Sequence, residues 1–137
     1  MRAMSEENVE IVQRARRLFA AFNRRDWDGF FADTDPEFEW DPTEQGGVFR
    51  GRRAITEVAE NWFSTWEEFQ WEPEEIELTS NGERMFVSLR SWGRSKGSDA
   101  IIEGRFFHVI DMRDGTLLRC REYVDRAKAV ASFEGTE

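Results

Sequence analysis

His108 is the chain's one histidine, and it stands in FFHVI, an apolar run with the look of a strand. An imidazole with an ordinary pKa of about 6.5 is suited to moving protons near neutrality. Set among hydrophobes, it suits equally well a hydrogen-bonded place in a core or a dimer interface. Asp41 stands before a proline in FEWDPTEQGG, behind Trp40 and a few residues ahead of Phe49. A carboxylate walled by those two aromatics would be desolvated and pushed toward the working range of a general base. The same Asp-Pro pair also reads as an ordinary turn with the carboxylate in water.

Strand alternation supplies two more chemical groups. In RMFVSLRSW, Phe86, Ser88, Arg90 and Trp92 share one face, and Met85, Val87, Leu89 and Ser91 the other. In LLRCREYV one face holds Leu118, Cys120, Glu122 and Val124. If both chemical faces point inward, Arg90 and Glu122 join Asp41 in one pocket, where an arginine lowers carboxylate pKa values and grips a carbonyl or anion. A slip of one residue sends every one of these side chains to the opposite side. Trp62 and Trp66, four residues apart, would stand on one helical face, either as an aromatic wall for a ligand or as core packing. Cys120 reads as a small buried hydrophobe.

The elements that must position these groups follow from periodicity. Ser5 caps a helix carrying Val9, Val12, Leu18, Phe19 and Phe22 and ending near Arg24. Asp26 caps a short second helix through WDGFFAD, which Asp35-Pro36 ends. Phe38 to Asp41 forms a short strand, and Arg53 to about Glu68 a third helix with Ile55, Val58, Ala59, Trp62, Phe63 and Trp66 on its apolar face. Beyond Phe69 the period falls to two. Strands at Phe69 to Leu78, Arg84 to Arg94, Ala100 to Arg113 and Leu117 to Val124 alternate with the turns SNGE, RSKGSD and RDGT. Asp125 caps a last helix through RAKAVASF. The expected class is α+β, helices packed on a twisted antiparallel sheet, in one domain spanning 1–137.

Composition narrows the function. A net charge of -9 repels nucleic acid and anionic membranes, so neither is an expected partner. No apolar run reaches the roughly 20 residues of a membrane span, and MRAMSEENVE lacks a secretory apolar segment, which together suggest the cytoplasm. One cysteine and one histidine make no zinc cluster, and no metal or cofactor is expected. Twelve Phe, six Trp and one Tyr in a chain that is 34% charged imply that something large and apolar is enclosed.

The order of these pieces, from NVEIVQRARRLFAAFNRRDWDGFFADTDPEFEWDP through FRGRRAI to DGTLLRCREYVDRAKAV, resembles the NTF2-like superfamily, specifically the SnoaL-like proteins related to ketosteroid isomerases. The resemblance implies a cone-shaped α+β barrel around one pocket, often in a homodimer. Asp41 falls where the isomerases carry their general base. Their oxyanion-holding tyrosine and acid correspond here to Leu18 and Phe107, so enolate stabilisation of that kind is missing. The family's register makes the Phe86 face concave and turns His108 away from the pocket. It leaves Met85, Val87 and Leu89 on an outer, dimer-forming face. Glu122 occupies the late-strand position where SnoaL-type polyketide cyclases place a catalytic aspartate.

The reading at this stage gives Asp41, Glu122 and His108 as candidate catalytic residues. Trp40, Phe49, Val58, Trp62, Trp66, Phe86, Ser88, Arg90, Trp92 and Phe107 are candidate substrate contacts. The expected function is an isomerase, cyclase, dehydratase or hydrolase acting on a small apolar molecule by acid–base chemistry. The alternative is a non-catalytic binding or dimerisation module.

Overall fold

The computed structural model describes residues 5–44 and 46–135. Helix α1 (Glu6–Asn23) starts on Ser5, whose hydroxyl accepts from the Asn8 amide, and its first turn is acidic, as the helix dipole favours. Helix α2 (Trp27–Phe30) starts on Asp26, which accepts from the Gly29 amide. Strand β1 (Thr34–Asp41) and the two-residue β2 (Phe49–Arg50) lead into α3 (Gly51–Ser64). Strands β3 (Trp66–Leu78), β4 (Arg84–Ser95), β5 (Ile101–Arg113) and β6 (Thr116–Tyr123) form an antiparallel meander. Helix α4 (Arg126–Glu134) is capped by Asp125.

Strand order in the six-stranded sheet is β2-β1-β6-β5-β4-β3. β1 runs parallel to β6, so the sheet is mixed where an antiparallel one was expected, and it is strongly curved, as expected, with β2 and β3 as its open edges. Two boundaries differ from the sequence reading. α2 ends at Phe30, and β1 starts at Thr34, taking in Asp35-Pro36. The residue before a proline favours extended backbone, and this stretch coincides with the register shift between Thr34 and Glu39. α3 stops at Ser64, so Trp66 and Glu68 belong to β3. Trp62, Trp66 and Phe69 satisfy helical spacing by chance. They meet across a helix–strand corner, with the Trp62 and Trp66 rings 5.6 Å apart. Gly93 accommodates that corner, since a Cβ there would lie 2.6 Å from the Trp66 ring.

The sheet has two covered faces. On the inner face α1 and α3 bury Leu18, Phe19, Phe22, Ile55 and Phe63 against Trp71, Met85, Val87, Leu89 and Ile110. On the outer face α4 covers Phe86, Phe107, Val109 and Tyr123. This reverses the register implied by the resemblance. Met85, Val87 and Leu89 are fully buried in the chain's own core and cannot form the outer interface, while the Phe86 face is the convex one. The cause is that both faces of β4 are apolar at its first half, so alternation alone does not say which one meets the helices. Among the described residues no helix is long and apolar enough to cross a membrane.

Candidate functional site

Inside the curve lies an apolar cavity of about 40 Å³, with Leu18, Phe19 and Phe22 of α1, Trp27 and Phe30 of α2, Phe38 and Trp40 of β1, Ile55 and Ala59 of α3, and Trp71, His108, Ile110, Leu117 and Cys120 of the sheet around it. Aromatic stacking sets its shape. Phe22 lies flat on Trp71 at 4.5 Å between centroids, and Trp71 meets the His108 ring edge-on at 5.1 Å. Trp71 sits on the edge strand β3, where its backbone would lack a partner on one side. The Asn23 side chain at the end of α1 fills that gap, donating to the Trp71 carbonyl at 2.8 Å and accepting from its amide at 2.9 Å.

The chemical groups meet where β5 pairs with β6. His108 and Glu122 are register partners, and His108 Nε2 lies 2.9 Å from Glu122 Oε2, with both residues more than nine-tenths buried. Burial opposes a charge on the imidazole. The Cys120 sulfur and the Glu122 carboxylate, both in hydrogen-bonding contact with the ring, outweigh that and push the His108 pKa up to about 10. An imidazolium–carboxylate pair therefore faces a hydrocarbon wall. The backbone behind it is anchored as well, for Thr43 Oγ1 donates to the Glu122 carbonyl at 2.6 Å.

Asp41 is not part of this cluster. Trp40 faces the cavity, so its neighbour Asp41 is turned to the other side of β1, in register with Arg121. Its Oδ1 accepts from the Thr43 amide at 2.9 Å, the geometry of an Asx turn that stabilises the loop whose Thr43 holds Glu122. Arg90 is on the outer face, exposed and paired with Glu103 at 2.8 Å, so it reaches neither Asp41 nor Glu122. Ser88, Trp92 and Phe107 fall on the same convex side as Phe86 by alternation. His108, by the same reversal, points into the cavity instead of away from it. Phe49 packs against Trp40 with centroids 6.0 Å apart, behind the wall. Val58, Trp62 and Trp66 also stand outside the lining. Of the expected substrate contacts, Trp40 alone lines the cavity.

Several wall residues escaped the sequence reading. Phe19 and Phe22 were visible as the apolar face of α1 but looked like plain core. Trp71 is signalled by its alternation with Phe69 in WEEFQWE, but alternation alone does not say that this face borders a cavity. Cys120, read as packing, does pack, and it also touches His108.

Helices over the concave face of an open, strongly curved sheet, with the cavity between them, define the NTF2-like class. The profile of the SnoaL-like domain matches residues 15–120, and the chain belongs to that family. Solved structures share the fold. TerC, co-crystallised with polyporic acid, is 23% identical with a TM-score of 0.73, the match covering 94% of this chain and 99% of that one. A protein from Jannaschia sp. CCS1, provisionally named a SnoaL-like polyketide cyclase, is 15% identical with a TM-score of 0.75, covering 97% of each chain. A protein of ketosteroid isomerase-like fold from Catenulispora acidiphila DSM 44928, bound to trimethylamine, is 13% identical with a TM-score of 0.71, covering 98% of this chain and 96% of that one. No curated protein sequence matches at a significant level.

Proposed function

We propose that the cavity receives a small, largely apolar molecule and that the His108–Glu122 pair moves a proton on it, as an isomerase, cyclase, dehydratase or hydrolase would. The observation that carries this reading is the buried pair itself, 2.9 Å apart, with His108 among the residues around an apolar cavity. Burying an ion pair costs several kcal/mol in desolvation, and an apolar pair of the same volume is often no less stable there. A pair kept in that place is better accounted for by chemistry than by stability. In this reading His108 donates as general acid, its conjugate base takes a proton back, and Glu122 orients the ring and compensates its charge. The late-strand carboxylate expected by resemblance to the cyclases keeps its place in the proposal. Asp41 does not, because it faces away from the cavity.

Two further expectations are part of the same proposal. The chain works in the cytoplasm, and it associates as a homodimer, now through a surface other than Met85, Val87 and Leu89. Ile101 and Ile102, well exposed at the start of β5, offer one apolar patch for such contact. Light scattering at micromolar concentration checks it, a monomer being the contrary result.

The functional test is a thermal-shift screen of small apolar molecules, since a ligand of the folded state stabilises by mass action. Hits are then incubated in deuterated water. Exchange or turnover that depends on both His108 and Glu122 supports the enzyme. Binding without either, in wild type and in Glu122→Gln alike, makes the domain a binding module.

A further inference from the structure

Beside the cavity, on the surface, lies a groove of about 290 Å³ between α1 and the segment from α2 to Asp33. Three arginines of α1 line it, Arg14, Arg17 and Arg24, against one acid, Asp33. The helix places them together: steps of three, four and three residues from Arg14 through Arg17 and Ala21 to Arg24 keep these side chains on one face, along about 15 Å of axis. In a chain of net charge -9 this strip runs against the general field. Its arginines are loosely held. Arg14 and Arg17 share one carboxylate, Glu10, at 3.4 and 3.3 Å, and Arg24 lies 3.6 Å from Asp26, both acids standing outside the groove lining. Exposed pairs of this kind are worth about 0–1 kcal/mol, so an anion in the groove can recruit the guanidinium groups.

Groove and cavity have a common wall. Leu18, Phe30 and Leu117 line both, so one layer of side chains separates the arginines from the apolar interior. Leu18 and Leu117 are buried and belong to the long α1 and to the sheet. Phe30 is only partly buried and belongs to α2, whose four residues are too few to be stable by themselves. Of the three, Phe30 is the one free to swing aside.

We infer that the ligand is an amphiphile with a carboxylate at one end, its apolar end entering the cavity past Phe30 while the carboxylate stays in the groove on Arg14 and Arg17. The inference rests on the cavity being the binding site, as proposed above, and adds the class of molecule it takes. Volume favours it. The cavity at rest, about 40 Å³, has room for only a few water-sized groups, so a longer ligand extends into the roomier groove. Charge favours a carboxylate, because its two oxygens match the guanidinium fork. Left in the groove and partly in water, the anion also escapes the desolvation cost of entering a dry cavity. Arg24 is less suited to hold it, since it caps the C-terminal end of α1, where the helix dipole is negative.

Octanoate and octanamide are the probes, equal in chain length and different in the charge of the head. The one histidine gives a single ring Cε1 proton signal, which reports on the cavity independently of the groove. By calorimetric titration at low salt, octanoate is expected to bind about fivefold more tightly than octanamide, the size of an exposed charge contact. The preference should vanish at about 1 M salt, and both probes should shift the His108 signal. Arg14→Gln combined with Arg17→Gln is expected to bring the two probes to equal affinity; Arg17→Glu, at an exposed site, serves if the double variant does not fold. Equal affinity in wild type, or a preference for octanoate that survives the arginine substitutions, overturns the inference, and the cavity reading stands where the His108 signal still shifts. A preference that depends on the arginines but leaves His108 unmoved overturns both, making the groove a surface anion site. Binding of neither probe overturns the inference alone, the cavity reading then being decided by the screen of small apolar molecules.

Discussion

Strands β5 and β6 carry a charge cluster on each face, and the two are built on opposite terms. Inside, His108 meets one carboxylate, Glu122, and the Cys120 sulfur, dry and beside the rings of Phe19 and Trp71. Outside, Asp111 meets three arginines: Arg84 at 2.8 Å, and Arg119 and Arg121 at 3.4 Å each. Arg84 also donates to the Ser132 carbonyl, tying α4 to the sheet. The outer cluster is redundant and partly solvated, so water and neighbouring arginines take over when one member leaves. The inner pair has no such reserve. Interactions of similar geometry thus differ in consequence because of what surrounds them.

The largest expected effect lies inside. Glu122→Ala would leave a buried imidazole without its counter-ion, and breaking a buried pair in this way costs about 3–5 kcal/mol. The pH dependence carries the sign. His108 has a folded pKa raised from 6.5 to about 10, so the folded state holds a proton that the unfolded state releases between those values. The stabilisation that the Cys120 sulfur and the Glu122 carboxylate lend the protonated ring is fully present below about pH 6.5 and is lost as pH rises toward 10. Urea melts across that window should show wild type losing stability with rising pH, and Glu122→Gln losing less from this source, the part that Cys120 supplies remaining. Parallel pH profiles in the two proteins would break the contrast between the faces.

The rim between the faces should respond less. The sequence reading expects Trp62→Ala to cost about 3–5 kcal/mol, the range for a buried aromatic. Trp62 is 38% exposed, and it contacts Trp66 and Phe69 at the corner of α3 and β3. With that much surface already in water, the expected loss falls to about 1–2 kcal/mol by area. Ligand affinity in the cavity should not change, because Trp62 is not on its wall. Denaturant melts check the first point and calorimetric titration with a screening hit the second.

Element identity was legible here because it is local. Ser5, Asp26 and Asp125 announced their helices, and period-two alternation announced β3 to β6. What could not be read was which face of the sheet the helices choose. β4 is apolar on both sides around Phe86 and Val87, since α4 provides a second cover, and a strand buried on both faces loses the amphipathic signal that fixes its orientation. One wrong choice then moved Arg90, Phe107 and His108 together. Glu122 kept its inward place because β6 turns Cys120 to the cavity and Glu122 lies two residues on, on the same face.

On the outer face, Arg119→Ala removes a 41% exposed side chain from a cluster in which Arg84 and Arg121 still hold Asp111. The expected cost is about 0–1 kcal/mol, smaller at high salt. A loss comparable to that of Glu122→Ala, and insensitive to salt, would mean that the outer cluster is as dry and as irreplaceable as the inner one.

The smallest effect is expected at Asp41, the residue whose place before Pro42 first suggested a general base. Its carboxylate accepts from the Thr43 amide, and an asparagine side-chain oxygen can do the same in an Asx turn. Asp41→Asn should therefore change stability by no more than about 0.5 kcal/mol, as substitutions that spare the local hydrogen bond generally do. Asp41→Ala removes the acceptor and should cost more, on the order of 1 kcal/mol, by loosening the loop whose Thr43 holds the Glu122 carbonyl. The decisive reading is chemical. Because Asp41 is on the far side of β1 from Trp40, the His108 titration followed by NMR should be the same in Asp41→Asn as in wild type, as should any proton transfer found in the cavity. If Asp41→Asn abolishes that transfer while leaving the fold intact, the carboxylate reaches the ligand after all, and the division into an inner catalytic face and an outer structural one fails at β1.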